Sequence, residues 1–257
     1  MTEPGKYFYC VIPGKENRTF EVNAIGDGGG VVHTICHQGL AAVVSDSVVT
    51  QYQSTRQNMI AHERVLETVM RETNLLPVRF GTVTDAASPE RNIKKLLESR
   101  FEEFQKLLGD IEDKVELGLK AFWRDEKAIF AGILAENADI KRFRDSLAGR
   151  PPAATHFDRV RLGEMVKEAL NRQRVEEATN ILLPLRRIAH RVQENAVLAD
   201  RIIVNAAFLV EKNQEPEFDR VVSKLDEQFV KRVAIKYIGP VPPYNFINIV
   251  VNWEELS

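Results

Sequence analysis

The sequence predicts an α+β protein in two parts. Three observations lead there. Short β-prone runs bounded by Gly and Pro recur near the N-terminus, apolar residues at helical three-and-four spacing are interleaved with them, and helix and strand resume beyond a break at Ala148-Gly-Arg-Pro-Pro152. With 257 residues the chain is longer than one minimal core needs and suits two domains of ordinary size.

Lys6 to Pro13 is rich in aromatic and β-branched residues and ends at a Pro-Gly turn, which predicts a first strand; Thr19 to Ala24 predicts a short second one. After the Gly26 to Gly30 loop, Val31 to Cys36 and Leu40 to Ser45 flank Gln38-Gly39 and predict an antiparallel hairpin. Ser54 and Gln57 match a capping box. Met59, Leu66, Val69 and Met70 then recur on one face, so a helix covering the sheet is expected.

Leu75 to Val83 returns to strand character. Ser88-Pro89-Glu90 supplies an N-cap, a first-turn proline and a first-turn acid, and the stripe Ile93, Leu96, Leu97, Phe101, Phe104, Leu107 and Leu108 predicts one helix up to Gly109. Val115, Leu117 and Leu119 alternate with Glu116, Gly118 and Lys120, the pattern of a strand with one wet face, and a short helix is expected from about Arg124.

The Pro-Pro pair at 151–152 cannot continue a helix, and the division is drawn ahead of it, giving parts 1–138 and 139–257. The second part predicts helix from about Phe157 to Ala196, kinked or divided at Pro184. Strand (Ile202 to Glu211), helix (Glu215 to Val230), strand (Arg232 to Ile238), a proline-rich turn and a last strand (Phe246 to Asn252) follow. Duplication of one α+β unit is a reading the two parts leave open, with no register in which their residues repeat.

Composition narrows the function. Hydrophobic residues are 44% and charged residues 28% of the chain, as in soluble globular proteins, and 35 Lys and Arg against 37 Asp and Glu leave a formal charge of -2. No global field draws it to nucleic acid or anionic lipid, so neither is an expected partner. Met1-Thr-Glu-Pro-Gly-Lys6 has no signal-peptide character and no apolar run is long enough to cross a bilayer, which gives a cytoplasmic expectation. Cys10 and Cys36, the two cysteines, suggest neither a disulfide framework nor a zinc site.

Candidate chemistry is thin. His33, Cys36 and His37 resemble a metal cluster on paper, but on a strand four residues span roughly 13 Å and Cys36 faces away from both histidines. His62-Glu63 opens like a zinc-protease helix, yet Leu66 occupies the second ligand position, which favours plain helix surface. The Gly26 to Gly30 loop leads into a strand rather than the helix a phosphate cradle needs. Glu102-Glu103 and Asp110, Glu112 and Asp113 read as solvated charges. Arg79, inside Pro77-Val-Arg-Phe-Gly81, is expected in a structural ion pair. No catalytic, cofactor or metal residue is assigned. Gly239-Pro-Val-Pro-Pro-Tyr-Asn-Phe246 is a stiff, donor-poor stretch whose Pro242, Pro243, Tyr244 and Phe246 are the candidate protein-contact residues; the competing reading is a chain reversal whose aromatics fill the core.

Four pieces together resemble the gas vesicle protein F/L family: Lys6-Tyr-Phe-Tyr9, Pro77-Val-Arg-Phe-Gly-Thr82, Asn205-Ala-Ala-Phe-Leu-Val-Glu211 and Ile238-Gly-Pro-Val-Pro-Pro-Tyr-Asn-Phe246. Cys10 stands where the resemblance leads to an expectation of glycine after the aromatic strand, and the Gly26 to Gly30 loop is not a feature matched to the family. The resemblance implies an N-terminal ferredoxin-like domain, an antiparallel sheet covered by helices, and a C-terminal domain with long helices and a small ferredoxin-like α/β unit. It implies an accessory or minor structural protein of gas vesicles, without enzymatic activity or cofactor. Such a protein binds the hydrophobic major shell protein and other gas vesicle proteins and supports assembly, with the gas-facing inner surface as one location the resemblance allows. The alternatives are a cytosolic hub contacting other accessory gas vesicle proteins, and a small-ligand module or enzyme on a ferredoxin-like scaffold.

Overall fold

A computed structural model of the chain describes residues 4–26, 30–84, 87–197 and 199–253. Strand β1 (Gly5–Pro13) lies deep in the core, with residues 7–12 fully inaccessible. A strand buried on both faces needs a continuous apolar run, and Tyr7 to Ile12 supplies one. β1 pairs antiparallel with β4 (Leu40–Ser47), with a bulge at Tyr9: Phe8 opposes Val44 and Cys10 opposes Val43. The extra residue resets the alternation, so Tyr7, Tyr9, Cys10 and Ile12 all join one core cluster while Phe8 and Val11 join the other.

β2 (Thr19–Asn23) and β3 (Val31–His37) complete the antiparallel series, and β5 (Leu76–Pro77) closes it in the order β2-β3-β4-β1-β5. The β3–β4 hairpin turns at Gln38 and Gly39, whose φ values of 50° and 90° are those of the tight two-residue turn that matches strand twist. Asp27, Gly28 and Gly29 of the glycine loop lie outside the described residues.

Helix α1 (Arg56–Met70) covers one face through Val65, Leu66 and Val69; α2 (Pro89–Ser99) and α3 (Phe101–Asp110) cover the other through Ile93, Leu96, Leu97 and Phe104. The helices therefore lie on both faces of this sheet. Thr55, one residue after the expected Ser54, caps α1 by accepting from the Asn58 amide at 3.2 Å, and Met59 is 52% exposed rather than on the buried stripe. The single helix expected to Gly109 breaks at Arg100 (φ -113°, ψ 23°), whose guanidinium binds Glu103 and the Val250 carbonyl.

The strand expected from Leu75 to Val83 shrinks to two residues and a bridge between Val83 and Tyr7, because the chain turns at Gly81 (φ 84°). The strand expected from Phe246 to Asn252 is likewise reduced to a parallel bridge between Ile249 and Val78. Its period-two pattern survives in the buried Ile247 and Ile249 and the exposed Asn248 and Val250.

The second sheet contains β6 (Lys114–Trp123), β7 (Arg191–Glu194), β8 (Ile202–Glu211) and β9 (Val233–Val241) in the order β7-β8-β6-β9. Around it lie α4 (Glu126–Glu136), α5 (Ala138–Ser146), the 31-residue α6 (His156–Arg186) and α7 (Glu215–Phe229). Asp125 caps α4 through the amides of Lys127 and Ala128. Pro184 sits inside the last turn of α6, which ends at Arg186 instead of Ala196. The residues beyond are drawn into strand pairing, Val192 opposite Phe208, and tertiary pairing outweighs their helical spacing. Glu177, 7% exposed, accepts from Trp123 Nε1 at 2.6 Å and from Arg232.

The chain divides into two compact units, residues 1–116 with 239–257, and residues 117–238. This differs from a linear division at 138/139. The run after Gly239 buries Ile247 and Ile249 among Phe8, Leu76 and Ile93 of the first unit, so the C-terminal segment belongs to the N-terminal core. The break at 148–152 lies within the second unit.

Candidate functional site

The first unit carries a half-open groove of about 400 Å³. One wall is α1 (Met59, His62, Glu63), and the others are the runs 77–80 and 244–249. That volume is in the range of small-ligand and side-chain pockets, and the lining is mostly apolar with a few convergent polar groups.

His62 is 4% exposed, not the helix surface its neighbours suggest. The sequence did hold the signal, since His62 lies four residues before Leu66 and seven before Val69, on the line of the stripe. Its Nδ1 lies 3.0 Å from the Tyr7 hydroxyl, which accepts the Gly81 amide at 2.9 Å. With that amide taken as the donor to Tyr7, the phenol donates to Nδ1 and the imidazole is neutral, leaving Nε2 for the groove. Burial lowers the His62 pKa to about 4 and pushes the Tyr7 phenol well above its ordinary value. Tyr9 stacks on His62 with ring centroids 5.7 Å apart, while Phe80 meets the same ring edge-on at 5.7 Å. The bulge at Tyr9 and the positive φ of Gly81 build this cluster.

Glu63, beside His62, receives a hydrogen bond from the Tyr244 hydroxyl. Desolvation raises the Glu63 pKa, the Tyr244 bond opposes that, and Glu67 adds to it; Tyr244 is itself raised, first by burial and then by Glu63. Arg79 is exposed and donates from Nε to Asn248 Oδ1 at 3.2 Å, so an amide takes the place of the carboxylate expected among its partners.

The four candidate contact residues separate. Pro242 and Pro243 are buried, Phe246 is half-buried and Tyr244 is 39% exposed. The Pro243 carbonyl accepts the amides of Phe246 and Ile247 at 3.1 and 2.9 Å, so the prolines form a chain reversal. The prolines, rather than the aromatics, are its buried part. Glu116, expected on the wet face of β6, is 2% exposed and holds Asn245 from the adjoining position; no spacing rule links residues so far apart in sequence. Cys36 packs with the α1-side core while His37 approaches Glu98 of α2 at 4.0 Å, on the opposite face of β3. Among the described residues no group of three or more His, Cys, Asp or Glu side chains is placed to hold a metal ion.

Fold and groove define a mixed α+β protein with two antiparallel-rich sheets, long helices, ferredoxin-like units and an apolar concavity beside α1. The chain belongs to the gas vesicle synthesis protein GvpL/GvpF family, whose model matches residues 5–248. It is 29% identical over 221 residues to gas vesicle protein F of Microcystis aeruginosa, covering 85% of this chain and 88% of that one. It is 28% identical over 247 residues to gas vesicle protein F of a Nostoc species, covering 95% and 98%. The crystal structure of the gas vesicle protein GvpF from Anabaena superposes with a TM-score of 0.82 at 26% identity, covering 96% of this chain and 100% of the other. The chain is thus a gas vesicle-associated protein. Among the described residues no helix is long and apolar enough to cross a membrane.

Proposed function

We propose that this protein is a non-enzymatic accessory or minor structural component of gas vesicles that binds the small hydrophobic major shell protein and supports vesicle assembly. The observation that carries the reading is the near end-to-end match to the GvpL/GvpF family. A shell subunit with an apolar gas-facing surface needs an escort or anchor before it polymerises, and an apolar groove edged by exposed side chains suits that task. Met59 (52% exposed) and Tyr244 (39%) are such side chains at the groove, and Ile60 (41%) follows Met59 on α1.

Co-purification of the whole chain with the major shell protein, each tagged in turn, tests this. A stoichiometric complex is the expected result. Capture of other accessory gas vesicle proteins without the shell protein would overturn shell binding in favour of a cytosolic hub. Residence on the finished vesicle, including its gas-facing surface, predicts that the chain stays with purified vesicles through a salt wash; its loss would leave an assembly-only role.

A further inference from the structure

The groove beside α1 holds a charge that the fold does not use. Arg79 is anchored through Nε by Asn248, and its two terminal nitrogens have no partner among the described residues. Glu63 does not neutralise it, because its carboxylate is taken by the Tyr244 hydroxyl and no ion pair joins the two among the described residues. Glu67, a turn further along α1, adds negative charge near Glu63, and the neighbouring His62 is neutral near pH 7. The groove therefore offers one guanidinium fork to an anion, set apart from a carboxylate-bearing stretch of α1 that repels a second anion.

Its floor is apolar. Val78, Ile247 and Ile249 are buried beneath it and Met59 stands at its side. Two of its walls are extended only where they meet, at 76–78 and 247–249, which are linked by the bridge between Val78 and Ile249 and flanked by turns at Phe80 and at 244–246. A chain laid along such walls presents alternate side chains inward, as in strand-type peptide recognition.

We propose that this groove receives an extended apolar segment of a partner protein that carries one Asp or Glu side chain, paired with Arg79 while its apolar neighbours cover Met59, Val78 and Ile249. This rests on the partner-binding reading above and names the chemistry of the bound segment.

The test uses the full chain and two end-blocked, fluorescein-labelled peptides, Leu-Val-Glu-Ile-Val and the same peptide with Gln for Glu, followed by fluorescence anisotropy at low salt and neutral pH. The Glu peptide is expected to bind saturably and about tenfold more tightly than the Gln peptide, the equivalent of one pairing worth about 1.4 kcal/mol. Arg79→Met should erase that preference, and Met59→Glu, which adds a carboxylate to an exposed lining position, should weaken the Glu peptide selectively. Equal binding of the two peptides, a preference that survives Arg79→Met, or no saturable binding would overturn the proposal. So would Arg79-dependent binding of octanoate without peptide binding, since the occupant would then be a small amphiphile. Shell protein that co-purifies while the peptides fail leaves the functional reading standing and removes only this inference; peptide binding without shell capture does the reverse.

Discussion

The carboxylate of Glu116 on β6 accepts two hydrogen bonds from Asn245, 129 residues further along the chain: the backbone amide reaches Oε2 at 3.0 Å and Nδ2 reaches Oε1 at 2.6 Å. Desolvation raises the Glu116 pKa and the two Asn245 bonds oppose that. A buried carboxylate that satisfies two donors costs little while the pair is intact and much when one partner is removed. Glu116→Ala removes the acceptor of both bonds from a buried position and should lower stability by about 1–3 kcal/mol. Glu116→Gln keeps one acceptor and sheds the buried charge, so it should cost less than half as much. Urea unfolding of the two variants measures the difference; equal losses would remove the two-bond account.

His62 predicts a pH dependence. Its folded pKa of about 4 lies below the ordinary 6.5, so between these values the unfolded chain binds a proton that the folded chain refuses. The contribution is fully present above about pH 6.5 and is lost as pH falls towards 4, on the order of 2–3 kcal/mol. Glu63 and Glu116 act with the opposite sign: their folded pKa values are raised, so the cost of burying their charge is relieved as pH falls. Both carboxylates remain in a His62→Gln variant, and the difference between the two chains isolates the histidine. The original chain should lose several degrees of Tm relative to His62→Gln between pH 6.5 and 4.5. Parallel curves would show that burial does not hold this ring neutral.

Local rules reach the elements whose residues answer to their own neighbours. The run Tyr7 to Ile12 announces a strand and Gln38-Gly39 announces its hairpin, since side-chain shape and backbone freedom act over a few residues. The apolar stripes of α2 and α3 are legible, yet their interruption at Arg100 is not, because the Val250 carbonyl that its guanidinium binds lies 150 residues away. The same distance hides Glu116 with Asn245 and Glu63 with Tyr244. His62 marks an intermediate case: its place on the stripe is visible, while the Tyr7 hydroxyl that lets a polar ring occupy it is not. The site is harder to read than the fold because its groups are joined across the chain.

The hairpin gives a local prediction. A φ of 50° at Gln38 is a conformation that Asn and Gly adopt more readily, so Gln38→Asn should stabilise the protein by roughly 0.5 kcal/mol. At Gly39 a Cβ would meet nothing within 4 Å, so the loss expected from Gly39→Ala, about 1 kcal/mol or more, comes from backbone strain alone. Thermal melts of the two variants should move in opposite directions. A shared direction would mean that side-chain contacts outweigh the turn.

Tyr244 and Phe246 test the contact surface directly. Tyr244→Phe keeps the ring and removes the hydroxyl bond to Glu63, so it should cost about 1 kcal/mol of stability and leave partner capture nearly unchanged. Tyr244→Ala and Phe246→Ala remove aromatic area from an exposed and a half-buried site, and each should reduce capture of the major shell protein by about tenfold if the turn is the interface. Pro242→Ala and Pro243→Ala alter buried positions in the chain reversal and should act through stability. Co-purification yield and Tm measured on the same samples separate the two effects. Aromatic variants that lose Tm but retain the partner would assign the whole turn to the core and move the contact surface elsewhere on the chain.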